Sequence, residues 1–99
     1  MRLLAREHRD LLSALRQVGA GEGQFAFRKK SGWFNIDLKK PGTTFAFHRK
    51  KTTQLIDGQF EDSVKYRIRH DHKIREVAKW TEVLSAFQIW LARQVARGI

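Results

Sequence analysis

The chain has 99 residues, of which 41% are hydrophobic and 30% charged, a composition that suits one compact domain over residues 1–99 with a single core and excludes a disordered chain. It has no cysteine, which excludes a disulfide frame, a thiolate nucleophile and a cysteine-held zinc, and makes a reducing cytoplasm the expected compartment. Twenty Lys and Arg stand against ten Asp and Glu, a formal charge of +10, and a surplus of that size attracts polyanions, nucleic acid first.

Residues 2–18 set Leu4, Leu11, Leu12, Leu15 and Val18 on one helical stripe and predict an amphipathic helix. Its arginines sit inside the apolar pattern, and no apolar run approaches the roughly 18 residues of a membrane span, so the chain is expected to be soluble and unprocessed, with no membrane partner. Gly19 is placed to adopt the left-handed conformation that follows a helix end. The glycines at 19, 21 and 23 run from a helix into a strand, the reverse of the order in which glycine loops cradle phosphate.

A meander follows. A two-residue turn at Ser31 and Gly32 pairs Phe25 with Leu38, Phe27 with Ile36 and Lys29 with Phe34 on one face, and Ala26 with Asp37, Arg28 with Asn35 and Lys30 with Trp33 on the other. A loop at 40–43 is expected to pair Leu38 with Phe45, Ile36 with Phe47 and Asn35 with His48. Residues 52–62, with an Asp57-Gly58 turn signal, lead to a fourth strand at about 63–70 whose partner the sequence leaves open, or form a small hairpin of their own. From Asp71 to Arg97 the period is helical through Ile74, Val77, Trp80, Thr81, Leu84, Phe87, Leu91 and Val95, with Asp71 as the expected N-cap. The sum is an α+β, two-layer fold of order α-β-β-β-β-α: an antiparallel four-stranded sheet with an N-terminal and a long C-terminal helix on one face.

The other face is then a cationic surface. Arg28, Lys30, Trp33, His48, Lys50, Lys65, Arg67 and Arg69 are expected there, joined by the turn cations Lys39, Arg49 and Lys51, as a platform that displaces counterions from a phosphate backbone while Trp33 stacks on a base. Asp37 lies between small residues and is expected to neutralise a neighbouring cation. His70 and His72 flank Asp71, but two histidines fall short of the three or four ligands of a transition-metal site. No serine, histidine and acid form a triad. The reading is a small non-enzymatic protein, without cofactor or metal, that binds DNA or RNA. Its alternative is a regulatory module that dimerises or binds a protein through the broad Trp80, Val83, Phe87 and Trp90 surface of the last helix, where Val83 and Trp90 widen the apolar stripe; packing on the N-terminal helix is the first expectation for that extra width. The ribosome-dependent RNase toxins share the small size and basicity, and the double-stranded-RNA-binding domains share the α-β-β-β-α order, but neither shares enough to carry a residue over.

Overall fold

A computed structural model describes residues 2–97 of the chain. Helix α1 (Ala5–Gln17) leads through a 3-10 turn (Glu22–Gln24) into five strands, β1 (Phe25–Lys30), β2 (Trp33–Leu38), β3 (Thr44–Ile56), β4 (Gln59–His70) and β5 (Lys73–Val77), and helix α2 (Trp80–Ala96) closes the described chain. The strands form one antiparallel meander in the order β1-β2-β3-β4-β5. Both helices lie on one face, so the fold is α+β as the periods predict, with five strands instead of four.

The β1–β2 register is the expected one at all six pairs, from Phe25 with Leu38 to Lys30 with Trp33. Ser31 and Gly32 both take positive φ, 54° and 81°, the geometry of a two-residue turn whose twist matches that of the flanking strands. The β2–β3 register is displaced by two residues from the expected one: Phe34 pairs with Phe47, Asn35 with Ala46, Ile36 with Phe45 and Asp37 with Thr44. The Leu38 amide donates to the Thr43 carbonyl at 2.9 Å, so the loop closes one pair earlier on each side. Because side chains alternate with a period of two, this displacement changes every partner and keeps every face.

The segment 52–62 is neither linker nor separate hairpin. It continues β3 and β4, which pair without interruption from Ala46 with Arg69 out to Ile56 with Gln59, and turns at Asp57 and Gly58 with φ of 51° and 77°. The second revision is at residues 71–79. Asp71 does not cap a helix; with His72 it makes a turn in which both residues have positive φ, and Lys73–Val77 returns as β5 beside β4, pairing Val77 with Tyr66 and Ile74 with Arg69. Helix α2 starts only at Trp80, where the Glu82 carboxylate folds back to accept the amides of Ala78 and Lys79 at 2.9 and 3.0 Å and satisfies donors that a helix start leaves open. Its 17 residues span about 25 Å.

The core lies between the sheet and the helices. Phe34, Ile36, Leu38, Phe45, Phe47, Tyr66 and Ile68 of the sheet meet Leu11 and Leu15 of α1 and Val83, Phe87, Trp90 and Leu91 of α2. Phe87 and Trp90 pack their rings against Phe45 at 5.2 and 5.6 Å, and Trp80 packs on Phe47 at 5.3 Å, separations at which aromatic pairs add to simple area burial. The Trp80 indole N–H also donates to Asp10 at 2.9 Å, tying α2 to α1. This corrects the assignment of Trp80, Val83, Phe87 and Trp90 to a partner surface: all four are buried. The wide stripe is accounted for by a sheet face one strand broader than expected, with α1 alongside.

One polar cluster is built into this core. Glu7 is fully buried and accepts from Arg49 Nη1 at 2.6 Å, Tyr66 Oη at 3.0 Å and the Leu4 amide at 2.9 Å. Burial raises the Tyr66 phenol above its ordinary range, and its bond to Glu7 acts in the same direction. The carboxylate thus joins the start of α1 to neighbouring residues of β3 and β4, where Arg49 pairs with Tyr66.

Candidate nucleic-acid interface

The face of the sheet turned away from the helices is organised by the two hairpin registers. Alternation places Arg28, Lys30, Trp33, Asn35, Asp37, Thr44, Ala46, His48, Lys50, Lys65, Arg67, Arg69 and Glu76 on it. Six of these are Lys or Arg and two are carboxylates; Ile74 beside Arg69 and, farther out on the β3–β4 ribbon, Glu61 lie on the same face. Arg28, Lys30, Lys50, Lys65, Arg67 and Arg69 are all exposed, so their charges meet solvent.

The centre is Trp33, at the start of β2. Its ring meets the His48 imidazole edge to face at 4.5 Å, and the Arg69 guanidinium sits over it at 4.5 Å from the ring centroid. A cation held this way gains about 0.5 to 1 kcal/mol at an exposed site and loses rotamer freedom before any ligand arrives. The two-residue displacement of β3 explains the partners: it brings His48 beside Trp33, where the expected register had placed Lys50. Burial holds the His48 imidazole below its ordinary range, and the cations of Arg67 and Lys50 push it the same way.

Beside Trp33 runs a shallow groove of about 350 Å³ whose sides are Arg28, Lys30 and Arg69 and whose floor includes Asn35. Asn35 is buried beneath these longer side chains and is fixed by donating to the carbonyls of Arg28 and Trp33 at 3.1 and 3.3 Å. Farther along the same strands a second hollow of about 390 Å³ opens between Arg28, Arg69 and the small residues Thr44 and Ala46. Two arginines therefore stand on either side of a trough with little side-chain bulk in it.

The two carboxylates are engaged. Asp37 accepts from Arg28 Nε at 3.0 Å and Nη2 at 3.3 Å and from Thr44 Oγ1 at 2.6 Å, so its expected role as a local neutraliser is the one it has. The bond to Arg28 holds the Asp37 carboxyl below the usual range, and the Thr44 hydroxyl adds to that against the opposing effect of burial. Glu76 lies between Lys65 and Arg67 at 3.5 and 3.6 Å; a sequence pattern that reads residues 71–97 as helix gives no reason to put it there.

Eight of the eleven expected cationic and aromatic contacts thus share one surface: Arg28, Lys30, Trp33, His48, Lys50, Lys65, Arg67 and Arg69. Three do not. Lys39 lies past the end of β2, in the loop to β3. Arg49 is corrected outright: it follows Phe45 and Phe47 on the helix-covered side and is ion-paired to Glu7. Lys51 shares that side and pairs with Asp62 at 3.2 Å. Alternation from Phe47 is the signal that would have placed both. The histidines of the 70–72 segment also separate, since His70 stacks on Phe45 at 5.5 Å and bonds to Asp71 while His72 occupies the turn. No group of three or more His, Asp or Glu side chains is arranged to hold a metal ion among the described residues. No helix among them is long and apolar enough to cross a membrane. Comparison of the chain with family models, curated proteins and solved structures gave no match.

Proposed function

We propose that this protein binds nucleic acid through the open face of its sheet, and that it holds the phosphate backbone there without unstacking a base. The observation that carries this reading is the clustering of six cations with two carboxylates, Asp37 and Glu76, on the body of the one sheet face that no helix covers, the third carboxylate of that face, Glu61, lying out on the β3–β4 ribbon. Trp33 supports the choice of phosphate over base. Its ring already carries Arg69 and abuts His48, so it acts as a post for a guanidinium more than as a free stacking platform. The result is a preset pair, Arg28 and Arg69, flanking a trough into which a phosphate fits, with Lys30, Lys50, Lys65 and Arg67 extending the positive stripe. Sequence preference is not implied, because backbone contacts position a duplex or strand without reading it.

The test is an affinity series on short oligomers. Asp37 offsets Arg28, and Glu76 offsets one of Lys65 and Arg67; the four remaining open-face charges give a slope of log affinity on log salt of about −3.6 on duplex and about −2.8 on single strands, or roughly a 150-fold and a 50-fold loss between about 50 and 200 mM salt. Lys30→Glu with Arg67→Glu is expected to remove binding while the thermal transition stays within a few degrees of wild type. Trp33→Ala is expected to weaken binding through the loss of Arg69 positioning while leaving the salt slope intact. A salt slope near zero, or a double charge reversal that binds as wild type does, refutes the reading. No observation favours the partner-binding alternative at Trp80, Val83, Phe87 and Trp90, because those side chains form the core.

A further inference from the structure

Beyond Arg49 and Tyr66 the β3–β4 ribbon leaves the body of the molecule. Seven residues of each strand at about 3.3 Å per residue carry its tip roughly 20 Å outward, in a molecule 53 Å long and only 27 by 23 Å across. Past Lys50, Lys51 and Lys65 at its base, the chemistry of this arm inverts that of the rest of the chain. Residues 52–64 include Asp57, Glu61 and Asp62 and none of the twenty Lys and Arg. Asp62 is held by Lys51 and Thr53, whereas Asp57 and Glu61 make no ion pair among the described residues. Leu55 and Phe60 pair across the ribbon, 64% and 78% exposed. Such a tip is repelled by phosphate, so it does not serve as a ribbon that enters a nucleic-acid groove.

At the far edge of the sheet the opposite chemistry is found. Strand β5 and helix α2 bound a groove of about 600 Å³ lined by Lys73, Ile74, Arg75, Ile89, Trp90 and Arg93, among others. Ile74 and Ile89 are 60% and 55% exposed. Lys73, Arg75 and Arg93 make no ion pair among the described residues. The Trp90 indole N–H is a buried donor with no partner among the described residues.

We propose that the ribbon tip of one molecule docks in the β5–α2 groove of a second copy. Leu55 and Phe60 meet Ile74 and Ile89, removing four large apolar side chains from water, and Asp57 and Glu61 meet Lys73, Arg75 and Arg93. The charge complementarity is internal to the chain: its one acidic, apolar projection matches a cationic, apolar recess on the same molecule, out of reach of its own arm. The contact joins two different surfaces, so it closes by reciprocal exchange or grows head to tail. It does not use the open-face cations, although Ile74 beside Arg69 and Glu61 on the ribbon lie on that same face.

The experiment is light scattering on the full chain at low salt. Wild type is expected to show the mass of two or more chains. Asp57→Lys with Glu61→Lys in the tip, Arg75→Glu with Arg93→Glu in the groove, and Phe60→Ser are each expected to give the mass of one chain, with unfolding transitions that show each variant folded. Mixing the tip-reversed and groove-reversed variants in equal amounts should restore a two-chain species, because a basic tip then meets an acidic groove. Oligomer binding by Phe60→Ser should stay within about threefold of wild type, since no phosphate contact is removed. A one-chain wild-type mass at about 100 μM, which puts the dissociation constant well above that concentration, overturns the proposal. So does a tip- or groove-reversed variant that keeps the wild-type mass, or a mixture that stays monomeric.

Discussion

Glu7→Ala is the substitution with the largest expected effect on stability, and its magnitude follows from three bonds. Glu7 is 0% exposed and accepts from Arg49, Tyr66 and the Leu4 amide. Truncation takes this acceptor from a guanidinium, a phenol and a helix-start amide, while Arg49 keeps its bond to the Arg2 carbonyl at 2.9 Å. Removing one partner of a buried ion pair costs about 3–5 kcal/mol, and the 20% exposure of the Arg49 side chain lets water reach it, which places this pair at the lower end. The lost helix-start bond adds on the order of 1 kcal/mol, so we expect about 3–4 kcal/mol in all. At roughly 4–8 °C per kcal/mol for a domain of this size, Tm falls by roughly 12–32 °C. Glu7→Gln keeps the shape and an acceptor oxygen and loses the charge, and should cost about 1–2 kcal/mol. Urea unfolding followed by circular dichroism reads these differences through the shift in midpoint. Glu7→Leu with Arg49→Met, which removes both charges at once, should lie closer to wild type than Glu7→Ala does. A loss below about 1 kcal/mol in Glu7→Ala, or a double variant less stable than both singles, would refute the account of this cluster as a mutually dependent buried pair.

Two further outcomes follow from the same coordinates. The His48 imidazole is held below its ordinary range when free, so the unfolded chain takes up this proton first as pH falls, and the His48 contribution to stability declines below the unfolded value of about 6.5. A bound phosphate reverses the preference by stabilising the imidazolium, so affinity for an oligomer should rise as pH falls from 7.5 to 5.5, by up to about fivefold for one exposed ion pair; a His48→Gln variant with the same pH response as wild type would count against its place on the binding face. His72 takes φ 61° in the β4–β5 turn, a conformation that disfavours a side chain with a Cβ, so His72→Gly should raise stability by about 0.5–1 kcal/mol in the same urea titration, and a decrease would mean that the His72 side chain makes a stabilising contact in the turn.

What could be read from the chain alone was local. A two-residue turn determines its own register, so the β1–β2 hairpin follows from Ser31-Gly32 and the alternation around it. Facing also survives error: a loop closing one pair early moved His48 from Asn35 to Trp33 but left the aromatic and cationic rows on their own sides, because a shift of two residues is a full side-chain period. That is why eight of the eleven proposed contacts share a surface. Arg49 and Lys51 failed as turn cations because their strand continues straight through them, a continuation that alternation from Phe47 already implied.

Tertiary structure decided the rest. Ile74, Val77 and Trp80 follow a helical period, whereas in the strand Ile74 and Val77 face opposite sides of the sheet, and what overrides the period is hydrogen bonding to β4, with Val77 beside Tyr66 and Glu76 beside Arg67. The length of the ribbon is a matter of pairing along its whole span, since residues 52–62 carry no core-facing pattern to mark them. Glu7 reads as one more charged position on an amphipathic helix until the fold brings it to Arg49 and Tyr66, 42 and 59 residues away. Composition and period thus determined an α+β fold and the sidedness of its sheet, because both depend on near neighbours. The fifth strand, the burial of the last helix and the buried carboxylate depend on groups far apart in the chain, and only folding brings them within bonding distance.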